Sequence, residues 1–365
     1  MSAPFGRFFL PGPTEVLPEV LEAQLHPMIG HRGAATEALL RAVDQPLRSI
    51  FRTSRPVIIS TSSATGLMEA AIRNGVRRRV LCLVNGAFSQ RFADIAVACG
   101  KEAVVARVEP GRTFEADQLK QLLSESGADA VTLVHSESAT GALNPLQELA
   151  AVVREADDVM LLVDGVTSVG GSPVETDAWG LDFVLTGSQK ALALPPGLAF
   201  GVASERLLER ARTLPARGIY FDLVPYVEQA AKHQTPYTPA ISTLYTLHAQ
   251  LGRLQANGGI EARWAAHRAM LECAERWIAD HGASLGLEYL PAAGRRSWTV
   301  SCFRLLHAEP TGGAIAKRME ARGFTIAPGY GKLKDTTIRI GHMGDHTVAH
   351  LEECLAQLME VLKRG

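Results

Sequence analysis

Several features that would narrow the function of this 365-residue chain at once are missing from it. Charge of either sign is not in excess: 37 Lys and Arg against 38 Asp and Glu leave a formal net charge of −1. That removes the electrostatic attraction expected of a nucleic-acid or anionic-membrane binder. No run approaches the roughly 20 apolar residues of a membrane span. The opening MSAPFGRFFLPGPT is interrupted by Pro and Gly before a signal-peptide apolar segment can form, so a cytoplasmic protein is expected. Cysteines are few (Cys82, Cys99, Cys273, Cys302 and Cys354) and no two have CxxC spacing. A disulfide scaffold is excluded, and reduced, buried thiols are expected. There is no GxGxxG, no Walker loop and no HExxH, so nucleotide binding and zinc-hydrolase chemistry lose their usual signatures.

What is present is a core: 47% of residues are hydrophobic and 21% charged, the balance of a globular protein. At roughly 150 residues per domain the length suggests two. Residues 4–14 read as an extended arm and 15–53 carry helical periodicity. A repeated alternation then begins. RPVIIS (55–60), RVLCLVNG (79–86), EAVVARV (102–108), DAVTLVHS (129–136), VMLLVDG (159–165), DFVLTG (182–187) and LAFGVAS (198–204) read as strands. Helices are expected between them at 64–74, 89–100, 115–126 and 144–156. Apolar strands alternating with amphipathic helices predict an α/β fold with a mostly parallel sheet between helices. Beyond 255 the pattern changes to long helices (259–280, 312–322, 347–363) and two strands, SWTVSCFRL and TTIRIGHMG. The predicted division is an arm at 1–20, a large α/β domain at 21–255 and a smaller C-terminal α+β domain at 256–365.

Ligands of such sheets sit beyond the carboxyl ends of the strands, so the residues there carry the argument. After the first strand, Ser63, Ala64 and Thr65 open a helix, either as a plain N-cap or as an anion nest of free N–H groups. Phe88 comes after the second strand, as a core residue or as a platform for a flat ring. HSESATG ends another strand in His135, Ser136, Glu137, Ser138 and Thr140, able to cap a loop or bind a polar ligand. Asp164 ends five apolar residues, a costly place for a carboxylate without a partner. Lys190 comes after TGSQ and precedes the apolar ALALPPGLAFG, an unusual setting for a surface charge. A phosphate nest, an aromatic, a carboxylate and a lysine on one sheet edge match what pyridoxal phosphate needs. Its aldehyde takes a lysine amine, and its ring nitrogen takes a carboxylate that keeps it protonated.

PGPT, VNGAFSQR, HSESATG, LLVDGVTSVGG, GSQKALALPPG and RIGHMGD, in this order, resemble class V aminotransferases along essentially the whole chain. The similarity is in particular to the alanine–glyoxylate and serine–pyruvate (serine–glyoxylate) branch. The resemblance implies a pyridoxal-phosphate-dependent transferase of fold type I, a homodimer with active sites at the interface. It makes Lys190 the Schiff-base lysine, Asp164 the partner of the pyridine nitrogen, and Phe88 the stacking ring where Trp is common. Val166 covers the other ring face and Ser138 the ring hydroxyl. Ser63, Ala64, Thr65 and Gln189 hold the phosphate, with Thr238 and Thr235 reaching the partner's phosphate in trans. Arg339, flanked by Ile338 and Ile340, takes the substrate carboxylate, for which a guanidinium fork is suited.

The expected reaction is a ping-pong transamination from alanine or serine to glyoxylate or pyruvate. Two rivals use the same cofactor: a 2-aminoethylphosphonate–pyruvate aminotransferase, and a lyase of the cysteine desulfurase kind. The second lacks the mobile cysteine it needs between Cys302 and Arg339. A metal-binding or interaction protein is the rival from another class, through His342, His346 and His350. Gly341 and Gly344 break the helix that this spacing would require, so no metal is expected.

Overall fold

The structure, a computed structural model, describes residues 4–363; residues 1–3 of the predicted arm and 364–365 of the small domain lie outside the described residues. The central sheet has seven strands in the order Ile58–Ser60, Ala199–Ala203, Phe183–Gly187, Met160–Asp164, Ala130–Val134, Arg79–Val84, Glu102–Arg107. All are parallel except Ala199–Ala203, which runs antiparallel to both its neighbours. Met160–Asp164 and Phe183–Gly187 are buried at every residue, as strands covered on both faces must be. The period of two decides which core each residue enters: Leu161 and Val163 join one face, Met160 and Leu162 the other.

The helical periodicity of 15–53 is realised as two helices rather than one. A short helix, Pro18–Glu22, runs into a 3₁₀ turn, Ala23–Leu25, and the long helix starts only at Ala34. Pro27, Gly30 and Gly33 supply the interruption. The arm is more than an extended tail. Phe8–Phe9 pairs in parallel with Thr325–Pro328 at the edge of a second, five-stranded sheet, completed by Thr337–Gly341, Val300–Leu305 and Leu287–Tyr289. Phe9 is buried in that sheet's core with Phe303, Ile338 and Ile340. Further on, the Thr14 amide donates to the Gln189 carbonyl at 2.9 Å, so one short segment ties the second sheet to the C-terminal edge of the first. Among the described residues no helix is long and apolar enough to cross a membrane, and all five cysteines are free thiols.

At the opposite edge, Arg210 is buried and donates to the carbonyls of Gly75, Asp129 and Asp158. It also pairs with the Asp158 carboxylate at 2.7 Å; Arg77 and Arg210 together hold that carboxyl down at about 2. Its loss strands several buried acceptors. Arg210→Ala is expected to lower the unfolding free energy by about 3 kcal/mol in urea titration, with no change in ligand binding at the far edge of the sheet.

Candidate active site

A tight turn after the strand Phe183–Gly187 delivers Lys190, which is only 8% exposed. Its Nζ donates to the Pro11 carbonyl at 2.5 Å. The arm passes so close that a Cβ on Gly12 would lie 2.3 Å from Nζ, and Gly12 has a φ of +116°. Only glycine fits there. Burial pulls the Lys190 amine down to about 8; Asp164 opposes this shift, while Arg339 and Arg91 add to it. Asp164, at the end of its own strand, is pushed up to about 7 by burial first, with Glu137 adding and the Val166 amide and Lys190 opposing. Its carboxylate accepts one hydrogen bond, from Val166 N–H at 2.8 Å. Its second oxygen has no hydrogen-bond donor among the described residues.

Both groups line a cavity of about 260 Å³. Of the residues predicted from the sequence, Ser63, Ala64, Thr65, Phe88, Ser138, Val166 and Gln189 line it as well. Ser63 caps the helix Ala64–Gly75 without a side-chain hydrogen bond to the first turn, so the leading N–H groups are left for an anion. The half-satisfied Asp164 suits a protonated ring nitrogen, the uncapped helix start suits a phosphate, and Lys190 suits an aldehyde. The residues fit pyridoxal phosphate.

Arg339 stands beside the cavity, buried, with its Nη1 on the Ser138 carbonyl at 3.0 Å and its Nε on Pro328 at 3.1 Å. Burial lowers its pKa, and no carboxylate lies within ion-pair distance among the described residues. Ile338 and Ile340 occupy the core on the other face of that strand, as the alternation requires. Thr235 and Thr238 are not brought to this cavity. Thr235 is buried elsewhere and donates to the Tyr237 carbonyl at 2.8 Å, and Thr238 is exposed. Among the described residues no His, Cys, Asp or Glu cluster could hold a metal. His342 bonds Ser301 at 2.8 Å, and His346 is buried against Phe8 and Phe9, ahead of the helix that starts at Val348.

Sequence reading missed Gly12, Met68, Arg91, Val134, Thr167 and Tyr330 as cavity residues, while Ser136, named as able to bind a polar ligand, does line it. It also missed what Glu137 does. Fully buried, Glu137 accepts from the amides of Phe88, Ser89 and Ala139 and from the Ser89 hydroxyl. It thereby braces the turn that carries Phe88. Gly86 makes room for it, since a Cβ there would lie 2.4 Å from the Glu137 carboxyl. The glycine in VNGAFSQR was the available signal.

A buried amine and a half-satisfied carboxylate before an anion nest, on this sheet edge, define a pyridoxal-phosphate enzyme of fold type I. The profile of one family, Aminotransferase class-V, matches residues 14–321. An uncharacterized aminotransferase of Methanocaldococcus jannaschii is 36% identical over 92% of this chain and 87% of its own length. An aspartate aminotransferase structure from Thermus thermophilus superposes with a TM-score of 0.86 at 32% identity, covering 98% of this chain and 99% of that one. An alanine–glyoxylate aminotransferase structure from Nostoc sp. gives 0.90 at 29%, covering 100% and 96%. The chain belongs to the class V aminotransferases, and its cofactor is pyridoxal phosphate.

The paired shifts set a pH dependence. The Asp164 carboxylate raises the Lys190 pKa, so removing it must lower that value further. In the protein freed of cofactor, modification of Lys190 by an amine reagent is expected to rise with a midpoint near pH 8. Asp164→Asn is expected to move the midpoint below 8, as read by mass spectrometry across a pH series.

Proposed function

We propose that this aminotransferase moves the amino group of a small amino acid, alanine or serine, to a small 2-oxo acid, glyoxylate or pyruvate, in two half-reactions. The observation that carries this reading is that Lys190 and Asp164 line one cavity of about 260 Å³. That volume lies below the roughly 300–1,000 Å³ of most ligand sites, and it must admit cofactor and substrate together, which favours short side chains. When bound, pyridoxal phosphate supplies an aldehyde for capture of amines and a ring that accepts electrons.

The remaining roles fall to the chain. The first turn at Ser63, Ala64 and Thr65, with Gln189, would hold the phosphate. Phe88 and Val166 would confine the ring, Ser138 would lie near its hydroxyl, and Asp164 would favour the protonated form of its nitrogen. Arg339 would pair with the substrate carboxylate and so orient the substrate beside Lys190. Lys190 Nζ, with its pKa lowered to about 8, is partly neutral near pH 7 and takes the Cα proton. The arm through Pro11 and Gly12 closes the site over Nζ and excludes water.

A homodimer completes the proposal. Leu25, Met28 and Ile219 are 84, 71 and 78% exposed. Met28 contacts Ser242, and Tyr220, next to Ile219, donates to the Thr61 carbonyl; the Thr61 hydroxyl in turn accepts from the Ala240 amide. These contacts gather the apolar side chains on one face, near Thr235 and Thr238. Covered by a second copy, that face would bring both threonines to the partner's phosphate. Two rival activities find less support. Cys302 is fully buried with its thiol pushed up to about 12, which denies a lyase its thiolate. Aminoethylphosphonate remains a donor to be compared directly.

Lys190→Ala is expected to abolish turnover and the pH-sensitive visible absorption of the holoenzyme. Borohydride treatment of the wild type is expected to leave cofactor mass on the peptide containing residue 190. An unmodified Lys190 in cofactor-saturated protein would refute the assignment. In a donor panel, alanine or serine should exceed aminoethylphosphonate. Ile219→Arg is expected to shift the protein to monomer in sedimentation velocity and to weaken cofactor retention.

A further inference from the structure

Among the described residues, Tyr330 alone lines both the 260 Å³ cavity and a neighbouring cavity of about 530 Å³. Its ring stacks on Phe88 with centroids 5.4 Å apart and an interplanar angle of 28°. The Arg339 guanidinium lies 5.6 Å from the same ring, and the phenol oxygen is 3.4 Å from Arg91 Nη2. The backbone around it is tightly constrained: a Cβ on Gly329 would lie 2.0 Å from the Leu333 carbonyl oxygen, and Gly331 has a φ of +57°. The ring, 42% exposed at its outer side, stands between the two cavities, with Phe88, Arg91 and Arg339 against it.

The chambers differ in charge from what a small neutral substrate needs. Arg91 sits over the Phe88 ring at 4.9 Å. Arg107 and Lys332 line the outer cavity. None of the three has a carboxylate within ion-pair distance among the described residues. A substrate whose α-carboxylate is held by Arg339 and whose side chain points outward would carry a second carboxylate toward Arg91, then toward Arg107 and Lys332. Arg91 lines the 260 Å³ cavity itself and donates to the Tyr330 hydroxyl, and Tyr330 stands between that cavity and Arg107 and Lys332.

We propose that Tyr330 is a specificity-determining residue. Its ring partitions the two cavities, keeps the donor side chain short, and screens a cationic subsite that would otherwise select amino dicarboxylates. This rests on the transaminase reading above and names the substrate boundary of that same site. Dicarboxylate recognition is latent in the wall of the site, and a single aromatic ring holds it off.

The test compares holoenzymes of the wild type, Tyr330→Phe, Tyr330→Leu, Tyr330→Ala, and Tyr330→Ala with Arg91→Gln. Two quantities are read: kcat/KM for L-glutamate relative to L-alanine, and calorimetric affinity for glutarate, which carries no amine and cannot react. Tyr330→Ala is expected to raise the glutamate-to-alanine ratio about tenfold or more and to tighten glutarate binding by a similar factor, the gain expected of one new charge-assisted contact. Tyr330→Leu should move both in the same direction, and it serves if the alanine variant does not fold. Tyr330→Phe keeps the ring and should keep the wild-type ratio. Adding Arg91→Gln to Tyr330→Ala should remove the gain. Unchanged ratio and unchanged glutarate affinity in folded Tyr330→Ala or Tyr330→Leu would overturn the proposal, as would a wild type that already prefers glutamate to alanine. If no variant transaminates any donor, the transaminase reading fails, while glutarate binding still decides whether Tyr330 screens the cationic wall.

Discussion

Two titratable groups taken out of water organise this molecule. Lys190 and Asp164 stand at the carboxyl ends of adjacent strands in a cavity that neither solvent nor a complete set of hydrogen bonds relieves. Burial drives both groups toward their neutral forms, the amine down to about 8 and the carboxyl up to about 7. Each restrains the shift of the other by its charge. The same burial that costs stability leaves the amine able to accept a proton near neutral pH. A carboxylate with one oxygen unsatisfied is costly to bury, and a protonated ring nitrogen would relieve it. Cofactor binding and the desolvation cost of the site are thus linked at one residue.

The rest of the fold keeps that pair in place and dry. The seven-stranded sheet sets the two strand ends side by side. The arm contributes an edge strand to the second sheet, buries Phe9 there, and then lays Pro11 and Gly12 against the lysine amine. That short segment is thereby anchored at both ends, and the domains are coupled through the site itself. Arg339 couples them again, since it grows from the small sheet and bonds the Ser138 carbonyl of the large one. Glu137 braces the Phe88 turn through neutral donors only, the amides of Phe88, Ser89 and Ala139 and the Ser89 hydroxyl.

Much of this is legible in the residues alone. Strands such as VMLLVDG and DFVLTG are short apolar runs bounded by small polar residues, and the structure forms them where periodicity places them, buried at every position. Lys190, Asp164, Ser63, Ala64, Thr65, Phe88, Ser138, Val166 and Gln189 lie at or just past strand ends, and they meet in one cavity. The broken helix at 15–53 is less legible, because apolar spacing persists through Pro27, Gly30 and Gly33 while the helical backbone does not. Arg91 and Tyr330 carry no local signature of function, and the polar strand end that holds Glu137 does not say what its carboxylate braces. Arg91 lies on a half-exposed helix face, Glu137 within a polar strand end, and Tyr330 in a loop between two glycines.

The sequence by itself determined the alternation of strands and helices, the two ways each strand faces, and the chemistry delivered to the sheet edge. Those are local properties, set by side-chain periodicity and by the few residues that terminate each strand. Tertiary structure alone decided which side chains from distant segments share one volume: the arm over Lys190, Glu137 under Phe88, and Tyr330 between two cavities. Contacts of this kind join residues as far apart as Pro11 and Lys190, 179 positions along the chain. Their geometry depends on how sheets and helices pack, which no short pattern of residues records.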